Sequence, residues 1–261
     1  MTAAAVSPDV VVTRELCKTF GLGANAFCAL EDVSLSVRQG QFISIVGPSG
    51  CGKSTLLQII AGLSAATSGD ILIDGERMIG PRPDKIGVVF QEPLLLPWKT
   101  AAENIEFPLS LRHEAADRRR QRSTALLELV GLRDSAQLYP HQLSGGMKQR
   151  VAIARGLVRD PRLLLMDEPF AALDEQTRTR MWSELLQIWA RSRSTILFVT
   201  HSLIESIYLA DAVLIMGTRP GRIIERLPVE LPRPRTPEMV GSEVLGQLRN
   251  RIWHLIAGPQ T

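Results

Sequence analysis

The segment Gly47-Pro48-Ser49-Gly50-Cys51-Gly52-Lys53-Ser54, followed by Thr55, constrains this chain more than any other feature. A β-branched run at 43–46 leads into it and a helical pattern starting at Leu56 leads out, which makes it a strand-to-helix turn. Glycines let the backbone curl so that successive N–H groups point inward. The start of the following helix adds its partial positive charge. Lys53 places an ammonium among the N–H groups, and the Ser54 hydroxyl is a hard oxygen donor for Mg²⁺. The spacing predicts a phosphate-binding loop over 47–55, for a nucleoside triphosphate, within an α/β domain.

The rest of the chain agrees with that fold class. Of 261 residues, 45% are apolar, enough for a sizeable core. Short aliphatic runs at 43–46, 71–73, 86–90, 163–166, 195–199 and 212–216 are bounded by Gly, Pro or Asp and read as buried strands. Helical patterns lie between several of them, at 56–62 and at 181–190, where Trp182, Leu185, Leu186 and Trp189 share one side. This alternation predicts a largely parallel sheet. Between 93 and 158 no strand is expected. Helices are expected at 115–130 and 147–158, and the close arginines Arg118, Arg119, Arg120 and Arg122 read as a solvated helix face. The tail from 231 is proline-rich and then amphipathic over 243–256.

Composition excludes several roles. The net charge of +3 is too small to argue for nucleic acid, so no nucleic-acid partner is expected. No apolar run approaches the ~18 residues of a spanning helix, and the first ten residues are neither basic nor apolar, unlike a secretion signal. A membrane role would therefore come through a partner. Cys17, Cys28 and Cys51 are odd in number and lack metal-ligand spacing, which fits a reduced, cytosolic compartment.

Further residues continue the phosphate chemistry. The run at 163–166 ends in Asp167 and Glu168. A buried strand that delivers two acids suits Asp167 to Mg²⁺, through a water, and Glu168 to the general base that polarises the attacking water. His201 ends the strand expected over 195–200, where a γ-phosphate sensor is expected, and Gln91 ends the run at 86–90. Gln91 either caps a turn or reaches Mg²⁺ and the attacking water. Ser144 is a good N-cap, and Gly145 and Gly146 leave the first helical N–H groups uncovered, which makes a second anion site on one chain.

Leu143-Ser144-Gly145-Gly146-Met147-Lys148-Gln149-Arg150, placed between Gln91 and the acids at 167–168, resembles the signature motif of ABC transporters. The order of phosphate loop, Gln91, signature, the strand-end acids Asp167 and Glu168 (which resemble Walker B) and His201 is similar to that of their nucleotide-binding subunits, and Ala172-Leu173-Asp174 resembles the D-loop. The likeness spans roughly 11–225. It implies a P-loop NTPase (ABC ATPase) α/β core of RecA-like type over 1–92 and 159–230. An N-terminal antiparallel β portion, a helical subdomain over 93–158 that holds the signature, and a tail over 231–261 complete one ABC ATPase domain.

The resemblance also implies a site. ATP and Mg²⁺ are the expected cofactors, and Ser54, Gln91 and Asp167 the expected Mg²⁺ ligands. Glu168, His201 and Gln91 are expected to act in hydrolysis, and Phe20 to stack on adenine, with Phe27 the alternative. Two copies would pack head to tail, so that Ser144, Gly145, Gly146 and Gln149 reach the ATP held by the opposite copy, with Asp174 near that interface. The family further implies integral membrane permease subunits as partners, an extracytoplasmic solute-binding protein reached indirectly, and a place on the cytoplasmic face of a bacterial inner membrane. Leu94, Leu95, Leu96 and Trp98 resemble the wall of the groove that receives a coupling helix, or else pack inside the helical subdomain.

Leu95-Leu96-Pro97-Trp98, the run from Asp167 to Asp174, and Thr218-Arg219-Pro220-Gly221-Arg222-Ile223 with Leu231-Pro232-Arg233-Pro234-Arg235 resemble the importers of nitrate, alkylsulfonates and taurine. A soluble ABC ATPase of DNA repair or ribosomes is the alternative, but the coiled-coil or zinc insertions and the doubled ATPase units usual there are missing from this sequence. One departure is Ser202, where importers usually carry Asp after the histidine. Cys51, inside the phosphate loop, is expected to be a target of bulky thiol reagents that ATP would block.

Overall fold

The computed structural model describes residues 8–21, 23–218 and 220–257. Two compact units divide the chain: 1–82 with 194–261, and 83–193. The first unit opens with strands β1 (Asp9–Phe20), β2 (Phe27–Arg38) and β3 (Phe42–Val46), helix α1 (Lys53–Ile60), and strands β4 (Ser68–Ile73) and β5 (Glu76–Arg77). Residues of the second unit form β6 (Ile86–Val89), helices α2 (Ala101–Ser110), α3 (Ala116–Leu129) and α4 (Gly145–Leu157), β7 (Leu163–Asp167) and α5 (Glu175–Ser192). The chain returns to the first unit as β8 (Thr195–Val199), α6 (Leu203–Leu209), β9 (Ala212–Met216), β10 (Ile223–Pro228) and α7 (Glu243–Ala257).

In the first unit, β3 lies between β8 and β9 and is parallel to both, and β10 adds antiparallel to β9. Every residue of β3, β8 and β9 is buried. Parallel strands covered on both faces read as continuous apolar runs, which is why these three are visible in the sequence. The two buried polar exceptions are satisfied: the Ser44 hydroxyl donates to the Ser206 carbonyl at 3.0 Å, and Thr195 Oγ1 accepts from Gly40 N at 3.0 Å.

A second, antiparallel sheet has the order β2-β1-β4-β5. Along β2, Val33, Leu35 and Val37 are buried between more exposed serines, the period-2 signature of a half-covered sheet. Register shifts interrupt β1 between Thr13 and Leu16, where the buried Thr13 hydroxyl donates to Val33 O at 2.8 Å and accepts from Leu35 N at 3.0 Å. The side chain thereby fills a gap in the ladder. Asp74 and Gly75, both at positive φ, join β4 to β5 in the two-residue turn that Asp-Gly favours. The run at 71–73 thus belongs to this antiparallel sheet, not to the parallel one.

The second unit carries β6 parallel to β7, with α2, α3, α4 and α5. Described residues 93–158 contain helices and no strand. Thr100 and Glu103 form a reciprocal capping box that starts α2. Trp182, Leu185, Leu186 and Trp189 are all buried along α5. The arginines of α3 are not one solvated face. Arg119 donates to Glu114 O at 2.6 Å, and Arg122 donates to Val158 O at 3.0 Å and pairs with Asp160 at 2.5 Å. Arg118 and Arg120 are exposed. No described helix is long and apolar enough to cross a membrane.

Candidate functional site

In the first unit, β3 delivers Gly47 and α1 begins at Lys53. Gly52 is the N-cap of α1 at φ 94°, a conformation open to glycine, and no side chain caps the helix. The N–H groups of the first turn therefore face outward as an anion site. Lys53 is 6% exposed, and its ammonium donates to Gly47 O at 2.9 Å and Pro48 O at 3.0 Å. Its charge is thereby stored inside the loop. Ser49, Gly50 and Ser54 are exposed, and Pro48 and Thr55 are half-buried.

Cys51 is 1% exposed, and burial raises its thiol pKa while the nearby Lys53 charge partly offsets the rise. The thiol is therefore protonated at neutral pH and covered, which argues against the quick attack expected from its place in the loop.

The loop is braced from behind by a residue with no role in the phosphate pattern. A Cβ on Gly221 would stand 2.1 Å from Cys51 O and 2.8 Å from Ala29 O. Gly221 N donates to Ala29 O at 3.1 Å, and Glu31 N donates to Gly221 O at 3.0 Å. Arg222 adds an ion pair with Glu31. Gly221 and Arg222 thus tie β2 to the phosphate loop; Arg219 lies outside the described residues.

His201 follows β8 and is exposed. Its turn is tightly built. Thr200 Oγ1 accepts from Ser202 N at 3.0 Å and donates to the buried Glu205 carboxylate. Ser202 caps α6, its hydroxyl accepting from Glu205 N at 3.3 Å. The cap that an aspartate makes at such a position is therefore kept by serine. Phe20 and Phe27 face each other across the β1–β2 ladder and are 45% and 55% exposed, so neither is core. The Lys18 ammonium lies 4.7 Å from the Phe20 ring centroid.

In the second unit, Leu163 to Met166 are at most 1% exposed, and β7 delivers Asp167 and Glu168 half-buried at its end. Glu168 has φ 44°, a conformation uncommon for a side chain of its size, which turns the chain out of the strand. Gln91, just past β6, is exposed. Ser144 caps α4, its hydroxyl accepting from Met147 N at 3.3 Å. A Cβ on Gly145 would meet Leu173 at 3.3 Å, and one on Gly146 would meet Thr177 at 3.2 Å. The structure thus packs Gly145 and Gly146 against Leu173 and Thr177, on either side of Asp174. Asp174 caps α5 by accepting from Thr177 N at 3.0 Å, and the Thr177 hydrogen bonds hold its carboxyl below the ordinary value. Gln149 differs from its neighbours: it is 2% exposed, inside the helix packing.

Two residues that the sequence reading passed over shape the loop after Gln91. Asn104 is fully buried; its side chain accepts from Leu96 N at 2.8 Å and donates to the carbonyls of Leu96, Lys99 and Thr100. Arg155 donates to Leu94 O at 2.8 Å and Pro93 O at 2.6 Å. The loop is thereby fixed while Leu94 and Trp98 stay 55% and 69% exposed. Beside it lies an apolar groove of about 490 Å³ lined by Phe90, Phe107, Pro108, Leu111 and Arg155 among others. The wall of this groove is made by β6, by α2 and by Arg155 and Gly156 of α4, with 94–98 outside it.

Comparison with known proteins agrees with these features. The ABC transporter family matches residues 30–171. The aliphatic sulfonates import ATP-binding protein of Bacillus licheniformis is 46% identical over 219 residues, 84% of each chain. The nitrate import ATP-binding protein of Synechococcus elongatus is 46% identical over 242 residues, 92% of this chain and 88% of that one. A solved dimeric ATP-binding cassette in a post-hydrolysis state, bound to ADP and Pi, superposes with a TM-score of 0.73 at 33% identity, covering 85% of this chain and 99% of that one. With its uncapped phosphate-loop helix, strand-end carboxylates and Ser-Gly-Gly helix start, the chain belongs to the ABC transporter family, as one of its ATP-binding, ATP-hydrolysing subunits.

Proposed function

We propose that this chain powers an importer of small oxyanionic solutes, of the nitrate or sulfonate class, as a homodimer held against membrane permease subunits at the cytoplasmic face of a bacterial inner membrane. The solute class follows the two relatives named for sulfonate and nitrate import. A solute-binding protein outside the membrane would deliver the solute to the permease.

The observation that carries the ATPase reading is the uncapped α1 N-terminus with Lys53 folded into the loop. When ATP binds, Lys53 exchanges two carbonyls for the β and γ phosphates, and 47–55 supply backbone N–H groups. Phe20, exposed at the end of β1, stacks on adenine. Ser54, Gln91 and Asp167 would hold Mg²⁺. These hydroxyl, carboxylate and amide oxygens are hard donors of the kind Mg²⁺ takes alongside phosphate. Mg²⁺ neutralises phosphate charge when bound. Glu168 takes a proton from the attacking water, and His201 holds the γ phosphate.

Ser144, Gly145 and Gly146 meet the γ phosphate held by a second copy, with Gln149 supporting them from beneath and Asp174 fixing the adjoining turn. ATP then favours the closed pair, and phosphate release reopens it. The helical subdomain at 93–158 passes that motion on. The rigid 93–100 loop and the apolar groove beside it receive a segment of the permease. Reconstitution with the permease in liposomes tests this. ATP-dependent uptake of nitrate or an alkylsulfonate, lost in Glu168→Gln, is expected; phosphate release unaffected by the permease, without uptake of any such anion, refutes it.

A further inference from the structure

A second cavity in the 83–193 unit, polar and about 130 Å³ in volume, is assigned no part in ATP hydrolysis. Arg112, Arg118, Arg122 and Arg159 line it, with Asp84, Glu114 and Asp160. Several of these charges are matched. Arg122 pairs with Asp160 at 2.5 Å, and Arg118 with Glu114 at 3.5 Å. Arg159 stands apart. Its Nη2 is buried and has no hydrogen-bond partner. Burial, and next the charge of Arg112, lower its pKa, while Asp84 and Glu114 offset part of that effect. A buried guanidinium N–H without an acceptor is costly, and so is a second cation held beside it. An oxyanion relieves both, because a guanidinium fork presents paired N–H donors to two oxygens of one ligand.

We propose that this cavity binds one small oxyanion of the sulfate, phosphate or sulfonate class, held by Arg159 and Arg112 with Arg118 at the rim. Arg112 and Arg159 also line the apolar groove, so an anion here changes the charge presented to whatever docks there. That consequence rests on the reading of the groove given above; the anion site itself does not.

Calorimetric titration of the full chain with sodium sulfate and then inorganic phosphate tests the proposal. Saturating Mg-ADP keeps the phosphate loop filled, and chloride holds ionic strength constant. Saturable binding is expected, weakened about tenfold or more by Arg159→Gln and by Arg112→Gln. Arg120→Gln, on exposed α3 surface outside the cavity, should leave it within about twofold. Arg112 is exposed, so its variant reads binding without a folding defect. A parallel arm sediments the chain with phosphatidylcholine vesicles with and without phosphatidylglycerol. Heat with sulfate or phosphate assigns the site to a free anion. Retention on acidic vesicles that Arg159→Gln abolishes, without such heat, assigns it to a lipid headgroup. No response in either arm that depends on Arg159 and Arg112 overturns the proposal.

Discussion

Gly221→Ala is a single added methyl group, far in sequence from the phosphate loop, and should disable it. The new Cβ would lie 2.1 Å from Cys51 O and 2.8 Å from Ala29 O, where ordinary contact begins at 3.4 Å. About 1.3 Å of movement is needed to relieve the closer clash. Both opposing atoms are backbone, so no side-chain rotation supplies it. Gly221 is itself pinned by hydrogen bonds to Ala29 and from Glu31. Overpacking of this kind costs about 1–3 kcal/mol, and a strained buried hydrogen bond about 1 more. The expected loss is about 2–4 kcal/mol of stability, much of it taken by displacing the loop. Since 1.4 kcal/mol is tenfold in binding, ATP affinity should fall by roughly tenfold or more. Urea unfolding and fluorescent-nucleotide titration read the two effects, with Gly80→Ala as the control, because nothing lies within 4 Å of its added Cβ. Wild-type affinity and stability in Gly221→Ala would refute the bracing role.

Other predictions are more local. Asn104→Ala strands three loop groups, Leu96 N, Leu96 O and Lys99 O. It should lower unfolding stability by about 2–4 kcal/mol and weaken co-purification with the permease more than it weakens nucleotide binding. Ser202→Asp preserves the α6 cap and should change stability by under about 0.5 kcal/mol, whereas Ser202→Ala should cost about 1, measured by thermal or urea unfolding. Cys51 should react slowly with maleimides near pH 7. Because its pKa is raised, the thiolate fraction and the labelling rate should climb about tenfold per pH unit from 7 to 9. Quick labelling at pH 7 that does not accelerate would show the thiol to be exposed and unperturbed.

The parallel strands were legible because β3, β8 and β9 are buried on both faces, and continuous apolar runs need no partner to be recognised. The helix start at Ser144 was legible as a cap, because a side-chain acceptor is a local device, whereas the caps at Asp174 and Ser202 emerge only in the structure. Strands β1 and β2 were not visible as runs. Bulges around Thr13 to Leu16 and positive φ at Glu15 and Asp32 break the alternation, so the N-terminal sheet came only from family resemblance. Gly221 against Cys51 leaves no local signal, since the contact joins segments remote in the chain. Asn104 leaves only a faint one, a polar residue on the apolar side of a helix start, whose loop partners are set by tertiary structure. The phosphate loop was the clearest feature because its chemistry is written in eight consecutive residues.

The central claim is that one ATP is held between two copies of this chain, each giving a different half of the site. Sedimentation of Glu168→Gln tests it most directly, because the proposed base is removed while the proposed binding groups remain. With Mg-ATP the mass should double, with Mg-ADP it should return to that of one chain, and adding Ser144→Arg to Glu168→Gln should prevent the doubling. A single-chain mass in Mg-ATP, with ATP bound and Ser144 without effect, would contradict the account.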